Sequence, residues 1–191
     1  MDAIAIPGGR DVRAIHDGDE DAEAVVVACP PHPQYGGSRS DQRLRAVSAA
    51  LENREVACLR FDYGPWDEGR GERRDAGNAL AWADDRFAAV GLFGYSFGAE
   101  IALRAAGDAD PAPAAVSALA PPAEAVDALD DVPCPTQICF GERDDTVDST
   151  PVAERGRALE MQVESLPADH HFVGQTDRVA GLVADFFENL L

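Results

Sequence analysis

The chain has 191 residues, of which 46% are hydrophobic, and this length suits a single domain with a sizeable core over residues 1–191. It carries 35 acidic and 16 basic residues, for a formal net charge of −19, and every basic residue is an arginine. The acidity excludes nucleic acid as a partner, because phosphate backbones are bound by basic surfaces, and no apolar run reaches the roughly 20 residues that a membrane helix needs.

The first third of the chain predicts a hairpin, two further strands and one helix. Residues 4–16 predict a short antiparallel hairpin with a Pro-Gly-Gly turn. The continuous apolar run at 22–30 is typical of a strand that is buried on both faces of a sheet. Apolar residues within 40–55 recur at helical spacing, and Ser40 can cap the start of that helix. Residues 56–63 form the next predicted strand.

Helices and strands then alternate to the end of the chain. Predicted helices lie at 71–86, 97–107, 149–160 and 177–191, and the second of these is expected to end at Gly107. Predicted strands lie at 88–94, 114–122, 135–141 and 161–167. Because parallel strands need crossovers, which helices supply, the pattern predicts an α/β fold: a three-layer sandwich around a mostly parallel, doubly wound sheet. Functional groups of such sheets gather at the carboxyl ends of the strands.

The stretch "GYSFG" stands between a predicted strand and a predicted helix. It fits the G-x-S-x-G pattern in the strand–turn–helix context that this pattern requires. A serine held in so sharp a turn crowds the residues two positions away, and glycine at Gly94 and Gly98 relieves that crowding. We therefore predict that Ser96 is a nucleophile; the alternative is an ordinary tight turn that happens to contain a serine.

A serine hydroxyl is a weak nucleophile and needs a base to take its proton. The loop after the last strand, "LPADHHF", offers His170 or His171 as that base. An acid must hold the base in one tautomer, and the loop "GERDDTV" after the penultimate strand offers Asp144 as first choice and Asp145 as second. The alternative is that these two carboxylates belong to an ordinary acidic turn with no catalytic role. The order Ser, Asp, His along the chain is the order in which this fold arranges a triad.

The loop after the first parallel strand, "CPPHPQYGGS", is the expected place for part of an oxyanion hole. One backbone donor should be the N–H of Phe97, which follows the nucleophile. Pro33 has no N–H to donate, so the second donor is expected to be Gln34 or Tyr35. The glycines that follow would let this loop approach a substrate closely.

The four cysteines form no C-x-x-C pair and are predicted to be buried free thiols. They are Cys29, Cys58, Cys134 and Cys139. Their spacing and the lack of nearby histidines argue against a zinc site, and we expect neither a metal nor an organic cofactor.

The acidic residues are spread along the whole chain, not gathered in a tail. A dispersed acidic surface without lysine suits a cytoplasm of molar salt, in which the repulsion between carboxylates is screened. We therefore expect a halophilic source, although a GC-rich genome also favours Arg, Ala, Asp and Gly. The N-terminal residues lack the pattern of a secretory signal, so the expected location is cytoplasmic.

Six stretches in order over residues 32–172 resemble the α/β-hydrolase superfamily and, within it, the small dienelactone-hydrolase-like serine hydrolases. They are "HPQYGG", "LRFDYG", "GERRDAGNAL", "GYSFGAEIAL", "PCPTQICFGERDDTV" and "PADHHF". The resemblance implies that the acid is the third residue after the glycine that ends its strand, Asp144, and that the base is His170. Two departures from the family are a short loop after "LRFDYG" and the short segment 123–131, which leaves no room for a lid domain.

The resemblance implies a serine hydrolase that cleaves a small ester, lactone or thioester through an acyl-enzyme. A small molecule is then the expected partner. An open site without a lid offers little grip on a long acyl chain, which argues against a true lipase. The alternative function is a catalytically silent scaffold that binds a ligand or a partner protein in the same cleft. The sequence does not indicate an oligomeric state.

Overall fold

One eight-stranded sheet forms the centre of the molecule in the computed structural model, which describes residues 3–191. The strands are β1 (Ile4–Ile6), β2 (Val12–Asp17), β3 (Ala24–Cys29), β4 (Ala57–Asp62), β5 (Ala89–Tyr95), β6 (Ala115–Leu119), β7 (Thr136–Gly141) and β8 (Gln162–Leu166). Their order across the sheet is β1-β2-β4-β3-β5-β6-β7-β8. The β1–β2 and β2–β4 pairs are antiparallel, and all the others are parallel.

Five helices cover the two faces of this sheet. They are α1 (Gln42–Glu52), α2 (Arg70–Asp84), α3 (Phe97–Asp108), α4 (Thr150–Ala158) and α5 (Thr176–Glu188). Along β3, Val25 and Val27 pack with α2 and α3 on one face. Val26 and Ala28 pack with α1 and α5 on the other face. Burial on both faces explains the unbroken apolar run of this strand, and the predicted three-layer α/β sandwich is confirmed.

Two predicted helix ends differ from the observed ones. Asp41, not Ser40, caps α1, because the Asp41 carboxylate accepts the backbone N–H of Arg43 at 2.8 Å. The helix α3 does not end at Gly107 but continues through Asp108. A Cβ placed on Gly107 would lie 3.2 Å from the Cβ of Asp131, so this glycine lets the chain after β6 pack closely against the helix.

The connection from β6 to β7 contains one regular element, the short 3₁₀ segment Ala123–Asp131. It packs against α3 and α4 beside the sheet. The chain therefore forms no lid domain at this point, as its length predicted.

The cysteines are free, and three of the four are buried, in agreement with the prediction; Cys134 is half-buried. Burial raises the pKa of the Cys58 and Cys139 thiols to about 12 and that of Cys134 to about 11. Thiols that stay protonated at neutral pH are poor nucleophiles. Their role in the described structure is packing.

None of the helices within residues 3–191 combines the length and the apolar character needed to cross a lipid bilayer.

The net charge of −19 leads to a prediction about salt. We expect the melting temperature to rise between about 0.1 M and about 1 M KCl, over which the Debye length falls from about 10 Å to about 3 Å. Each kcal/mol of relieved repulsion should add roughly 2–4 °C in a chain of this size. Calorimetry across the KCl series measures the effect. A melting temperature that falls as KCl is added would contradict the expected adaptation to molar salt.

Candidate active site

Ser96 lies on a strained turn between β5 and α3. Its backbone has φ 58° and ψ −122°, a conformation that costs a non-glycine residue about 1–3 kcal/mol. The Ser96 N–H donates to the carbonyl of Leu119 at 2.8 Å, and this hydrogen bond stabilises the turn. A Cβ on Gly94 would lie 2.0 Å from the carbonyl oxygen of Gly98, and one on Gly98 would lie 2.3 Å from that of Cys29. Both glycines of the motif are therefore required by close backbone contacts.

His170 lies between Ser96 and Asp144 and contacts both. Its Nε2 is 3.1 Å from Ser96 Oγ, and its Nδ1 is 2.7 Å from Asp144 Oδ2. The side chains of His170 and Asp144 are only 6% and 3% exposed. An ionised carboxylate accepts a hydrogen bond and cannot donate one, so it favours the tautomer with the proton on Nδ1. That tautomer leaves Nε2 free to accept the serine proton.

The second oxygen of Asp144 fixes the carboxylate in the loop after β7. Asp144 Oδ1 accepts the backbone N–H groups of Thr146 at 2.9 Å and Val147 at 3.0 Å. The neighbouring Asp145 is exposed. Gly141 lets this loop touch the loop that carries the histidine, because a Cβ there would lie 2.5 Å from the carbonyl oxygen of Ala168. Of the two candidate acids, Asp144 is therefore the one in contact with an imidazole.

The two adjacent histidines have different surroundings. His170 is buried, whereas His171 is exposed and meets the His170 ring edge-on at a centroid distance of 5.3 Å. Tyr95, which precedes the serine, donates its hydroxyl to the backbone carbonyl of His170 at 3.0 Å. The guanidinium of Arg43 lies 4.6 Å from the centre of the Tyr95 ring. These two supporting residues were not singled out from the sequence, although Tyr95 stands within the serine motif.

Two of the three expected oxyanion donors form hydrogen bonds within their own loop. The Phe97 N–H opens α3 and so has no acceptor within the helix. The Gln34 N–H donates to His32 Nδ1 at 3.3 Å, and the Tyr35 N–H donates to the His32 carbonyl at 3.1 Å. Both groups are therefore hydrogen-bonded within the loop in this structure, and the choice of either as the second oxyanion donor stays a prediction. Both N–H groups form hydrogen bonds within the short 3₁₀ turn Pro33–Tyr35 and its cap.

His32 is a residue of this loop whose backbone N–H remains available. Within residues 3–191 the His32 N–H donates to no protein acceptor. The adjacent prolines cannot donate; they are Pro30, Pro31 and Pro33. The loop is anchored beside the serine turn, because a Cβ on Gly98 would lie 2.5 Å from the carbonyl oxygen of Pro30.

Four aromatic rings, which we call the aromatic platform, gather beside the serine turn: His32, Tyr35, Trp66 and Phe97. The His32 ring lies 4.7 Å from Tyr35, 4.5 Å from Trp66 and 4.8 Å from Phe97, centroid to centroid. Tyr35 is 87% exposed, and the other three are half-buried. Partial burial lowers the pKa of His32, against the opposing effect of the Glu72 carboxylate. The sequence did not predict this cluster.

The arginines near the strand ends are engaged with protein groups. Arg60 donates to Asp17 at 3.0 Å, and Arg143 donates to the carbonyl of Pro167 at 2.5 Å. Neither guanidinium is placed as a dedicated clamp for a substrate carboxylate.

A large open cavity lies near the amino ends of the strands, at the opposite end of the sheet from Ser96. It measures about 690 Å³ and is formed by α2, the end of α3 and residues 108–113. Its wall includes Val90, near the start of β5, whereas Ser96 follows the end of that strand. The cavity and the serine turn are therefore separate features of the molecule.

Among proteins with a doubly wound sheet, a strand–serine–helix turn at the carboxyl edge of the strands distinguishes the α/β-hydrolases, and this chain has that architecture. The family model of the dienelactone hydrolase family matches residues 67–185, which is more than half of the chain. The chain belongs to the dienelactone hydrolase family and is a hydrolase, which confirms the resemblance read from the sequence.

Solved structures of similar fold come from several bacteria. An alpha-beta serine hydrolase homologue from Coxiella burnetii is 24% identical with a TM-score of 0.84, over 97% of this chain and 96% of that one. A serine hydrolase without lid from Xanthomonas campestris is 24% identical with a TM-score of 0.84, over 100% and 94%. A dienelactone hydrolase from Anabaena variabilis is 22% identical with a TM-score of 0.85, over 99% and 97%. No curated protein sequence matches the chain.

Proposed function

We propose that the protein is a serine hydrolase that cleaves a small ester, lactone or thioester, with Ser96 as nucleophile, His170 as base and Asp144 as the acid that orients the base. The observation that carries this proposal is the continuous contact from Asp144 Oδ2 through His170 to Ser96 Oγ, at 2.7 Å and 3.1 Å. Both distances suit hydrogen bonds between a nucleophile, its base and an orienting group.

Acylation begins when Ser96 Oγ attacks the substrate carbonyl carbon while its proton moves to His170 Nε2. The carbonyl oxygen becomes an oxyanion, which the backbone N–H groups of Phe97 and His32 would stabilise. Collapse of the tetrahedral intermediate breaks the bond to the leaving group, which takes the proton from Nε2. The acyl group is then bound to Ser96 as an ester.

Deacylation repeats the cycle with water. His170 Nε2 takes a proton from the water, whose oxygen attacks the acyl carbon, and the second tetrahedral intermediate releases the carboxylic acid as Ser96 regains its proton. Throughout, the Asp144 carboxylate stabilises the imidazolium and stays ionised. These steps use protein groups and water alone.

The shape of the site supports a small substrate. The segment that could cover the serine is limited to the 3₁₀ turn Ala123–Asp131. A long acyl chain would lie in solvent over much of its length, so the apolar burial that favours lipid substrates would be small. A small molecule with an accessible carbonyl fits this open edge.

Labelling with a fluorophosphonate tests the proposal. In molar KCl we expect one phosphonyl adduct per chain, on the peptide that contains Ser96, because only an activated hydroxyl displaces fluoride at an appreciable rate. The Ser96→Ala variant and the unfolded wild-type protein are the controls and should remain unlabelled. A folded protein that forms no adduct would instead indicate the silent scaffold. Mass spectrometry of the digested protein identifies the modified residue.

A further inference from the structure

Large exposed apolar side chains are rare on this acidic surface, and two of the three belong to the loops on either side of Ser96. In the described part of the chain, three large hydrophobic residues are exposed: Tyr35, Val173 and Leu190. Tyr35 belongs to the loop after β3, and Val173 follows His170 by three residues. Exposed apolar groups that cluster at one place commonly mark a binding site.

The aromatic platform lies on one side of the serine and the base lies on the other. In the sheet, β5 has β3 and β4 on one side and β6, β7 and β8 on the other. His32 and Trp66 follow β3 and β4, whereas Asp144 and His170 follow β7 and β8. A carbonyl group bound at Ser96 is therefore placed between the platform and the imidazole.

This placement determines on which side of Ser96 the leaving group and the acyl group of the substrate lie. The leaving group must lie on the side of His170, because it takes its proton from Nε2 during acylation. The oxyanion points to the Phe97 and His32 N–H groups. The remaining substituent of the tetrahedral carbon is the acyl group, and the side that remains for it is that of the platform.

The charges on this side of the site disfavour an anionic acyl group. Two arginines contact the loop of Trp66, and both already have protein partners. Arg10 donates to the Pro65 carbonyl at 2.5 Å and to the carboxylate of Asp75 at 2.8 Å. Arg70 donates to Asp67 at 3.3 Å and lies 3.2 Å from the carboxylate of Glu68. Partial burial lowers the pKa of His32 and so disfavours a positive charge on its ring. Buried Glu72 adds a negative charge nearby.

Resting on the proposed function of Ser96, we propose that the aromatic platform is the acyl subsite of this hydrolase and that its preferred substrates are uncharged esters whose acyl group ends in an aromatic ring. Such a ring stacks on the exposed face of Tyr35 and against Trp66, in the offset or tilted arrangements that aromatic pairs favour. Aromatic contact, and not apolar area alone, then determines the preference.

A binding measurement tests the subsite without turnover. The chain has two tryptophans, so the double variant S96A/W82L keeps Trp66 as its only tryptophan and cannot form an acyl-enzyme. We expect methyl 3-phenylpropanoate to change the Trp66 emission saturably. It should bind roughly 2- to 12-fold tighter than methyl 3-cyclohexylpropanoate, the range typical of an added aromatic pair. No saturable change, or equal or tighter binding of the cyclohexyl ester, would overturn the proposal.

Steady-state kinetics of the active enzyme provide the second test of the acyl subsite. The same two methyl esters share a leaving group and a saturated carbon next to the carbonyl, so their intrinsic reactivity is matched. We expect kcat/KM to favour the phenyl ester by the same factor in the wild type and in Trp82→Leu, whose changed residue lies on α2 away from the platform. In Trp66→Leu the ratio should approach one, mainly through KM. The exposed Tyr35→Leu serves as a second variant should Trp66→Leu melt at a lower temperature.

The outcomes separate the two proposals. Hydrolysis of both esters with no phenyl preference, or with a preference that Trp66→Leu leaves intact, would overturn the acyl subsite and leave the serine hydrolase standing. Failure of Ser96 to react with either ester or with a fluorophosphonate would overturn the proposed function, and the binding measurement would still decide whether an aromatic group occupies the platform.

Discussion

His170→Ala should lower kcat for ester hydrolysis about 10⁶-fold, whereas His171→Ala should leave it close to the wild-type value. Removal of the base from a serine hydrolase costs about as much as removal of the whole triad, because the nucleophile is not activated without it. The two histidines are adjacent in sequence but differ in contact, since only His170 touches Ser96 and Asp144. His171 is therefore a matched control. Initial rates on a short-chain methyl ester in molar KCl measure both variants.

The His170→Ala measurement must distinguish lost chemistry from lost structure. His170 is only 5% exposed, and its removal leaves Asp144 Oδ2 without its imidazole partner, so some loss of stability is expected. Melting curves of both variants give that loss. Added imidazole should restore part of the activity by occupying the vacated space, which a misfolded protein would not show. Equal loss of activity in His171→Ala would contradict the assignment of the base.

The order of helices and strands is the part of the structure that the sequence predicts best. Hydrophobic spacing determines which segments are buried on one face and which on two, so all eight strands and five helices lie close to their expected positions. The helix ends are less well determined. Ser40 and Asp41 are both good capping residues, and only the path of the backbone decides that Asp41 accepts the N–H of Arg43.

The residues of the candidate site also differ in how well the sequence predicts them. Ser96 was predicted from a local motif whose glycines have a steric reason. His170 and His171 are equivalent by position alone, and only the family resemblance favoured one before burial separated them. Gln34 and Tyr35 were reasonable oxyanion donors in sequence, but their N–H groups close a turn on His32. Such local hydrogen bonds depend on backbone angles that a Gly/Pro-rich loop does not reveal.

The aromatic platform could not be predicted because its members come from two loops and the first residue of a helix. Two rings follow β3, one follows β4 and one opens α3, and the order of the strands in the sheet brings them together. The loop of Trp66 is held by Glu72, which is buried and accepts the backbone N–H groups of Asp67 and Gly69 at 2.9 Å and 2.8 Å. A carboxylate in the first turn of α2 thus fixes a ring beside the serine.

Asp144→Asn should lower kcat about 10⁴-fold while Asp145→Asn leaves it nearly unchanged, and the reason lies in the hydrogen bonds of the carboxylate. Asp144 Oδ1 accepts two backbone N–H groups, from Thr146 and Val147. An asparagine must keep its oxygen there and turn its NH₂ group toward His170 Nδ1. That contact favours the tautomer with the proton on Nε2, which cannot accept the serine proton.

The same reasoning gives this variant a signature beyond activity. The rate of fluorophosphonate labelling at Ser96 should fall by a factor similar to that of kcat, since both depend on proton transfer to Nε2, while the melting temperature changes little because the two backbone N–H groups keep their acceptor. Asp145→Asn removes one charge from the same loop but is exposed, so it controls for the electrostatic effect alone. Comparable losses in the two variants would show that charge in the loop matters, and not the tautomer of His170, and would contradict the role proposed for Asp144.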